Sequence, residues 1–367
     1  MKLNVPDYIM SLKPYKPGKP IEELEREYGI KKSIKLASNE NPLGPPKTAV
    51  TAIENALTDI HRYPDGGGFL LTRKIAEKNN VKLQNIVLGN GSDDIIGFIA
   101  KAFLVPGDEA VMALPSFLMY DIMVKASGAK SICVPLADAT KSFAIDLDEI
   151  LSRITSKTKM IFLTNPNNPT GTTISENAFD DFIDAVPEGI VIVIDEAYIE
   201  FADSESCVSG LKYINNSNPV IVLRTFSKVY GLAGIRIGYG IMNEELSQVM
   251  HRVRQPFNVN SLAQAAALAA LEDDDYLEKT RVVISEGLTY LYSALESLGI
   301  DYFPTQANFF LIDVKQSADV VFEKMLRQGV IIRSMTSYGY PEYIRITVGL
   351  PEENRRFIEA LEKVVNS

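Results

Sequence analysis

The chain has 367 residues, 46% of them apolar and 23% charged, a globular balance that excludes wholesale disorder. Its 47 acidic residues outnumber 37 basic ones for a net charge of −10, which disfavours nucleic acid as the main partner because phosphate backbones need a basic stripe. Only two histidines (His61, His251) and two cysteines (Cys133, Cys207) are present, too few for zinc clusters, CxxC redox pairs or multi-histidine iron sites.

Roughly 150 residues per domain predicts about two domains. The opening MKLNVPDYIM lacks the apolar core of a signal peptide, and no run approaches about eighteen apolar residues. With two lone cysteines, the expected compartment is the reduced cytoplasm, away from membranes. Pro14, Pro17, Gly18 and Pro20 mark turns ahead of a charged helical stretch over 21–28, an arm rather than a domain.

From residue 86 a rhythm sets in. Short apolar, β-branched runs at 86–88, 109–113, 131–134, 160–163, 190–194, 220–223 and 235–241 alternate with amphipathic helical stretches. Such continuous apolar strands predict an α/β fold with a mostly parallel sheet covered on both faces. Residues 93–103 carry Ile95, Ile96, Ile99 and Phe103 on one helical stripe. An alanine-rich stretch over 261–271 leads into a long helix over 275–298, with Asp273-Asp274-Asp275 as a solvated flank. After Gly299 the strands at 308–314, 330–333 and 343–348 surround helices at 318–328 and 352–365, the α+β texture of a smaller domain.

The strongest chemical signal is a lysine. Lys228 closes Leu223-Arg224-Thr225-Phe226-Ser227-Lys228, just past the carboxyl end of a strand, where open α/β sheets place their ligands. Burial there lowers an amine's pKa and suits it to a Schiff base. Thr225 and Ser227 add hydroxyls for an anion, and Arg236 a fork suited to phosphate. By itself an exposed strand-end lysine is the commoner case. The run 190–194 leads straight into Asp195-Glu196-Ala197-Tyr198. A carboxylate at the end of a buried strand needs a cationic partner, and the pyridinium nitrogen of pyridoxal phosphate is one. The alternatives are a metal-binding Asp-Glu pair or an ion pair with arginine. Asn165-Pro166-Asn167-Asn168-Pro169-Thr170-Gly171 is a rigid turn from which Asn168 can hydrogen-bond. Gly89-Asn90-Gly91-Ser92-Asp93-Asp94 opens a helix, whose first amides suit phosphate; it also falls one residue short of a dinucleotide fingerprint.

Together Asn168-Pro-Thr-Gly, Asp195-Glu-Ala-Tyr198 and Ser227-Lys228 with Arg236 resemble a fold-type I pyridoxal-phosphate aminotransferase. Further segments extend the resemblance over nearly the whole chain and toward the histidinol-phosphate aminotransferase branch. They are Lys13-Pro-Tyr15, Ser38-Asn39-Glu-Asn-Pro-Leu-Gly44, His61-Arg-Tyr63-Pro-Asp-Gly66, Pro115-Ser-Phe117-Leu-Met-Tyr120 and Ile344-Arg345-Ile-Thr-Val-Gly349. The resemblance implies that Lys228 binds the cofactor covalently and then shuttles the proton. It implies that Asp195 keeps the pyridine nitrogen protonated, and that Tyr198 and Asn168 bond the ring hydroxyl oxygen. Phe117 would stack on the ring, where many relatives carry tyrosine. Gly91, Ser92 and Asp93 would join Thr225, Ser227 and Arg236 around the phosphate. Asp94 stands where relatives often have glutamate. Tyr63 would reach the phosphate of the neighbouring subunit, implying a homodimer with shared sites.

For substrate, the resemblance implies that Arg345 pairs with the carboxylate of glutamate or 2-oxoglutarate. Arg333 is expected to meet the phosphate of histidinol phosphate or to form a surface ion pair. Tyr15 would close over the substrate or pack the arm, and Asn39 belongs to the same substrate set. The implied domains are 1–34 as arm and part of the small domain, 35–270 as the large cofactor-binding domain, and 271–367 as the small domain. The rival activities are a broad aromatic aminotransferase, a threonine-phosphate decarboxylase, a non-catalytic regulator and a Rossmann dehydrogenase. His61 and His251 are expected to be structural or solvated, Cys133 an inert core residue, and Cys207 to sit in a polar loop.

Overall fold

The computed structural model describes residues 4–14, 18–137, 143–203 and 205–365. In chain order the first elements are α1 (Asp7–Met10), α2 (Ile21–Tyr28), β1 (Ile34–Lys35), α3 (Lys47–Ala56) and α4 (Phe69–Asn79). The central region follows as β2 (Ile86–Gly89), α5 (Ser92–Phe103), β3 (Glu109–Leu114), α6 (Met119–Ala126), β4 (Lys130–Pro135), α7 (Leu147–Ser152), β5 (Thr158–Thr164), α8 (Glu176–Ala185), β6 (Val191–Asp195), β7 (Val220–Thr225) and β8 (Gly238–Met242). Then come α9 (Glu244–Val253), α10 (Ser261–Leu271), α11 (Asp274–Leu298), β9 (Tyr302–Phe303), β10 (Phe309–Asp313), α12 (Ala318–Arg327), β11 (Val330–Ile331), β12 (Arg333–Ser334), β13 (Tyr343–Thr347) and α13 (Pro351–Val365).

Seven strands form the main sheet in the order β2-β8-β7-β6-β5-β3-β4. Strands β3 to β7 run parallel, and β8 is antiparallel to both of its neighbours, so the sheet is mostly parallel as the apolar runs predicted. Helices cover both faces, which is why the strands are apolar throughout. In β6 the side chains alternate: Ile192 and Ile194 join one core with α3, α4, α8 and α10. Val191 and Val193 join the other, with α5, α6 and α9. A dinucleotide unit does not form around Gly89-Asn90-Gly91, because β2 is an edge strand paired only with antiparallel β8.

The C-terminal region builds a second sheet, β12-β13-β10-β9, packed with α11, α12 and α13 into its own core. The N-terminal segment joins this region: β1 pairs with β11, and Leu24 packs against Leu326 and Ile331. Several elements differ from expectation. The run 235–241 starts as strand only at Gly238, because residues Ala233–Ile235 form a tight 3-10 turn and Arg236 takes a left-handed φ of 60°. The run 330–333 divides between two sheets, β11 with β1 and β12 with β13. Cys133 is exposed rather than in the core. It lies on the last strand of the sheet, where Val134 points into the core and Cys133 to the other side.

Candidate functional site

Strands β5, β6 and β7 end side by side, and their carboxyl ends open on a cavity of about 330 Å³. Ligands settle at this end of an α/β sheet. Asp195 is the last residue of β6 and continues the Val191–Val193 row; Thr225 ends β7 on the same face. Lys228, Asp195, Asn168 and Tyr198 line the cavity together.

Burial, then the charge of Arg345, lowers the Lys228 ammonium to about 8. Its Nζ donates to the Ser38 carbonyl at 3.2 Å and sits 5.6 Å from the centre of the Tyr198 ring. A desolvated amine at that value is partly neutral near physiological pH, as a nucleophile or base requires. Burial pushes Asp195 up to about 6 although the Tyr120 hydroxyl donates to its Oδ2 at 2.6 Å and the Ala197 amide to its Oδ1 at 3.1 Å. Among the described residues the buried carboxylate has hydrogen-bond donors and no ion-pair partner, which fits a ligand cation such as a protonated ring nitrogen.

One end of the cavity suits an anion. Gly91 caps α5 with φ 88°, and a Cβ there would lie 2.5 Å from Arg236 Nη2. Glycine therefore lets the guanidinium approach the backbone at the helix N-terminus. Arg236 also donates to Ser227 Oγ at 3.4 Å and lies 3.5 Å from Asp93 Oδ2. Ser92, Asp93, Thr225 and Ser227 complete this end, and the Ser227 amide donates to Thr225 Oγ1. Phe117 forms a wall and meets Tyr120 edge-on, with ring centres 5.6 Å apart.

At the other end, Arg345 is buried: Nη1 donates to Asn168 Oδ1 at 2.5 Å and Nη2 to the Ala37 carbonyl at 2.8 Å. Arg333 lines the same cavity and is paired directly opposite Arg345 in the β12–β13 ladder. Like charges facing across a ladder are unfavourable, so the arrangement suits anionic substrate groups. Asn39, with φ 56°, donates from Nδ2 to the Tyr198 hydroxyl at 2.9 Å and so fixes that phenol, which burial pushes up to about 12.

Two expected residues stand apart. Tyr63 is 83% exposed, stacks on Phe257 and is not part of this cavity. Tyr15 lies outside the described residues. Glu196, beside Asp195, turns to the opposite face and forms a buried ion pair with Arg224, 2.7 Å from Oε2 to Nη2. The arginine alternative was thus correct for Glu196, not for Asp195. Among the described residues no cluster of histidine, cysteine, aspartate and glutamate could hold a metal ion.

Sequence reasoning assigned no role to Tyr120, Thr164, Glu40 or Tyr338, all at the site. For Tyr120 the signal was present, since it closes the segment Pro115-Ser-Phe117-Leu-Met-Tyr120 that carries part of the resemblance. Glu40 lay inside the segment Ser38–Gly44 without being given a role, and Tyr338 had no local signal.

A family model described as aminotransferase class I and II matches residues 31–361. The chain is 48% identical to a histidinol-phosphate aminotransferase of Desulfotalea psychrophila, covering 98% of this chain and 95% of that one. It is 46% identical to that of Moorella thermoacetica, covering 97% and 92%. Among solved structures, histidinol-phosphate aminotransferase from Sinorhizobium meliloti in complex with pyridoxal-5'-phosphate has a TM-score of 0.90 at 28% identity, covering 100% of this chain and 98% of that one.

Proposed function

The chain belongs to the class I and II aminotransferase family, and on that footing we propose that it transfers the amino group of histidinol phosphate to 2-oxoglutarate, giving imidazole acetol phosphate and glutamate in histidine biosynthesis. The observation that carries the proposal is one cavity holding a desolvated lysine, a buried carboxylate, an anion cradle and two facing arginines. The names of the relatives support the choice of substrate.

Pyridoxal phosphate, when bound, supplies an aldehyde that accepts the amino group and an electron-deficient ring that stabilises charge on the adjacent carbon. The residues present fit it, since the glycine at 91 leaves room at a cradle that any side chain would fill. Arg236, Ser227, Thr225 and the amides of residues 91–93 would hold its phosphate. Asp195 would keep a proton on the ring nitrogen, Asn168 and Tyr198 would face the ring oxygen, and Phe117 would cover one face. Lys228 would anchor the cofactor and, once released, accept and return the substrate proton at Nζ; its value of about 8 suits both directions. Arg345 and Arg333 would hold the carboxylate of one substrate and the phosphate of the other in turn.

A second subunit completes the reading. Tyr63 and Phe257 stack on one another while exposed, and Leu57, Ile60, Phe69 and Leu70 nearby in sequence are exposed too, apolar surface of the kind a partner subunit would cover. In the proposed homodimer Tyr63 serves the neighbouring site, which accounts for its absence from its own. Tyr15 and Asn39 would act on the substrate side. The enzyme would work in the cytoplasm; among the described residues no helix is long and apolar enough to cross a membrane.

The deciding experiment compares histidinol phosphate, phenylalanine and tyrosine as amino donors to 2-oxoglutarate. Histidinol phosphate should give the highest kcat/KM, and a preference for the aromatic acids by orders of magnitude would overturn the substrate assignment.

A further inference from the structure

We propose that Tyr120 is a positioning residue that acts through Asp195, holding its carboxylate ionised and directing it at the cofactor ring nitrogen. The proposal rests on the cofactor assignment above and extends it to a side chain outside the cavity wall.

Tyr120 is fully buried on α6, and its ring stacks on Phe162 of β5 with centres 4.8 Å apart. That packing leaves the hydroxyl one place to point, the end of β6. There it donates to Asp195 Oδ2 at 2.6 Å, a short charge-assisted bond. The same hydroxyl lies 3.1 Å from Thr164 Oγ1, which lies 2.8 Å from Ser116 Oγ. A carboxylate only accepts, so Tyr120 must give its proton to Asp195, and the Thr164 hydroxyl is then free to donate to Tyr120. The Thr164 and Tyr120 hydroxyls can then align on one carboxylate oxygen, each strengthening the next, while Ser116 Oγ donates to Asn167 Oδ1 at 3.4 Å.

Asp195 needs this support. Asp93 and Glu196 both oppose its charge, and burial opposes it more; Tyr120 and the Ala197 amide are the groups that favour it. Each carboxylate oxygen then retains a lone pair for a further donor. Tyr120 also abuts Phe117 edge-on, so one residue braces both the ring-nitrogen partner and the wall expected to cover the ring.

The test separates this role from packing. Full-length holoenzyme of wild type and of Tyr120→Phe is reconstituted with pyridoxal phosphate, and separately with an analogue carrying carbon in place of the ring nitrogen. Dissociation constants are measured by equilibrium dialysis. The substitution should weaken pyridoxal phosphate on the order of tenfold or more, the worth of a hydrogen bond to a charged group, and leave the analogue unchanged. Equal weakening of both ligands would reduce Tyr120 to a packing residue, and no weakening of either would remove any role; both outcomes overturn the proposal. Wild type that binds the two ligands equally would instead show that Asp195 does not engage the ring nitrogen, so the underlying assignment would fail first. Should Tyr120→Phe not fold, Thr164→Val carries the same test, with the same nitrogen-dependent loss expected at smaller size.

Discussion

Two carboxylates stand side by side at the end of β6, on opposite faces of one sheet, and they meet opposite fates. Glu196 follows the Ile192–Ile194 row and finds a complete set of partners. Arg224 lies in the matching row of β7, the Gly210 amide donates to Oε1 at 2.6 Å, and the Ser209 hydroxyl donates to it at 3.0 Å. Asp195, on the other face, receives a hydroxyl and an amide but is left with burial and two neighbouring anions. One face settles its charge within the chain, while the other keeps a deficit that suits a ligand. The difference separates structural from functional charge more sharply than burial does, since both groups are buried.

The largest effect that would sharpen the contrast is Lys228→Ala. Turnover of histidinol phosphate should disappear and the purified protein should lose the colour of bound cofactor, while its unfolding midpoint without cofactor stays at or above that of wild type. A variant with normal turnover would remove the cavity face from the chemistry. Next in size is Glu196→Ala, which strands Arg224 without its counter-charge. Breaking a buried pair from one side costs about 3–5 kcal/mol, measured by urea unfolding. If the loss were instead confined to catalysis at full stability, the structural reading of the far face would be wrong.

Asp195→Asn should behave in the opposite sense. Turnover should fall by about a hundredfold or more, the scale for losing one preorganised electrostatic group. Stability without cofactor should rise. In the folded chain Asp195 titrates near 6, above its ordinary 3.8, so its ionisation costs stability as pH climbs through that interval. The cost is absent below 3.8 and complete above about 6, where it amounts to about 2–3 kcal/mol. Thermal unfolding of cofactor-stripped protein should therefore favour Asp195→Asn at pH 7.5, with the advantage shrinking toward pH 4. A difference independent of pH would show that the deficit lies elsewhere.

Much of this contrast is legible in the sequence. The five apolar residues ahead of Asp195 announce a strand buried on both faces, and a period of two then sends Asp195 and Glu196 to opposite sides. Which side holds the ligand was not readable. That depended on Arg224 pointing with Val220 and Val222, and on helices packed from distant parts of the chain. The facing of Arg333 and Arg345 was hidden for a similar reason: twelve positions separate them in sequence, and only the β12–β13 register sets them opposite. The cofactor residues followed local strand-end motifs, whereas the substrate residues sit where separate layers meet and no local pattern records the meeting.

The smallest predicted effect concerns the two thiols, which repeat the lesson in miniature. Cys207 is buried beside the Glu196 network, where burial and that carboxylate's charge push its thiol up to about 12. Cys133 lies exposed on the edge strand β4. A thiol reagent at neutral pH should therefore modify Cys133 in the folded protein, slowed because partial burial and the Asp121 charge push its thiol up as well, and Cys207 only after unfolding, because the thiolate is the reactive form. Cys133→Ser should change stability by no more than about 0.5 kcal/mol, as expected for an exposed surface position. Prompt modification of Cys207 in the folded chain would mean that the far face opens to solvent and that its charge is not sealed from water as the static contacts require.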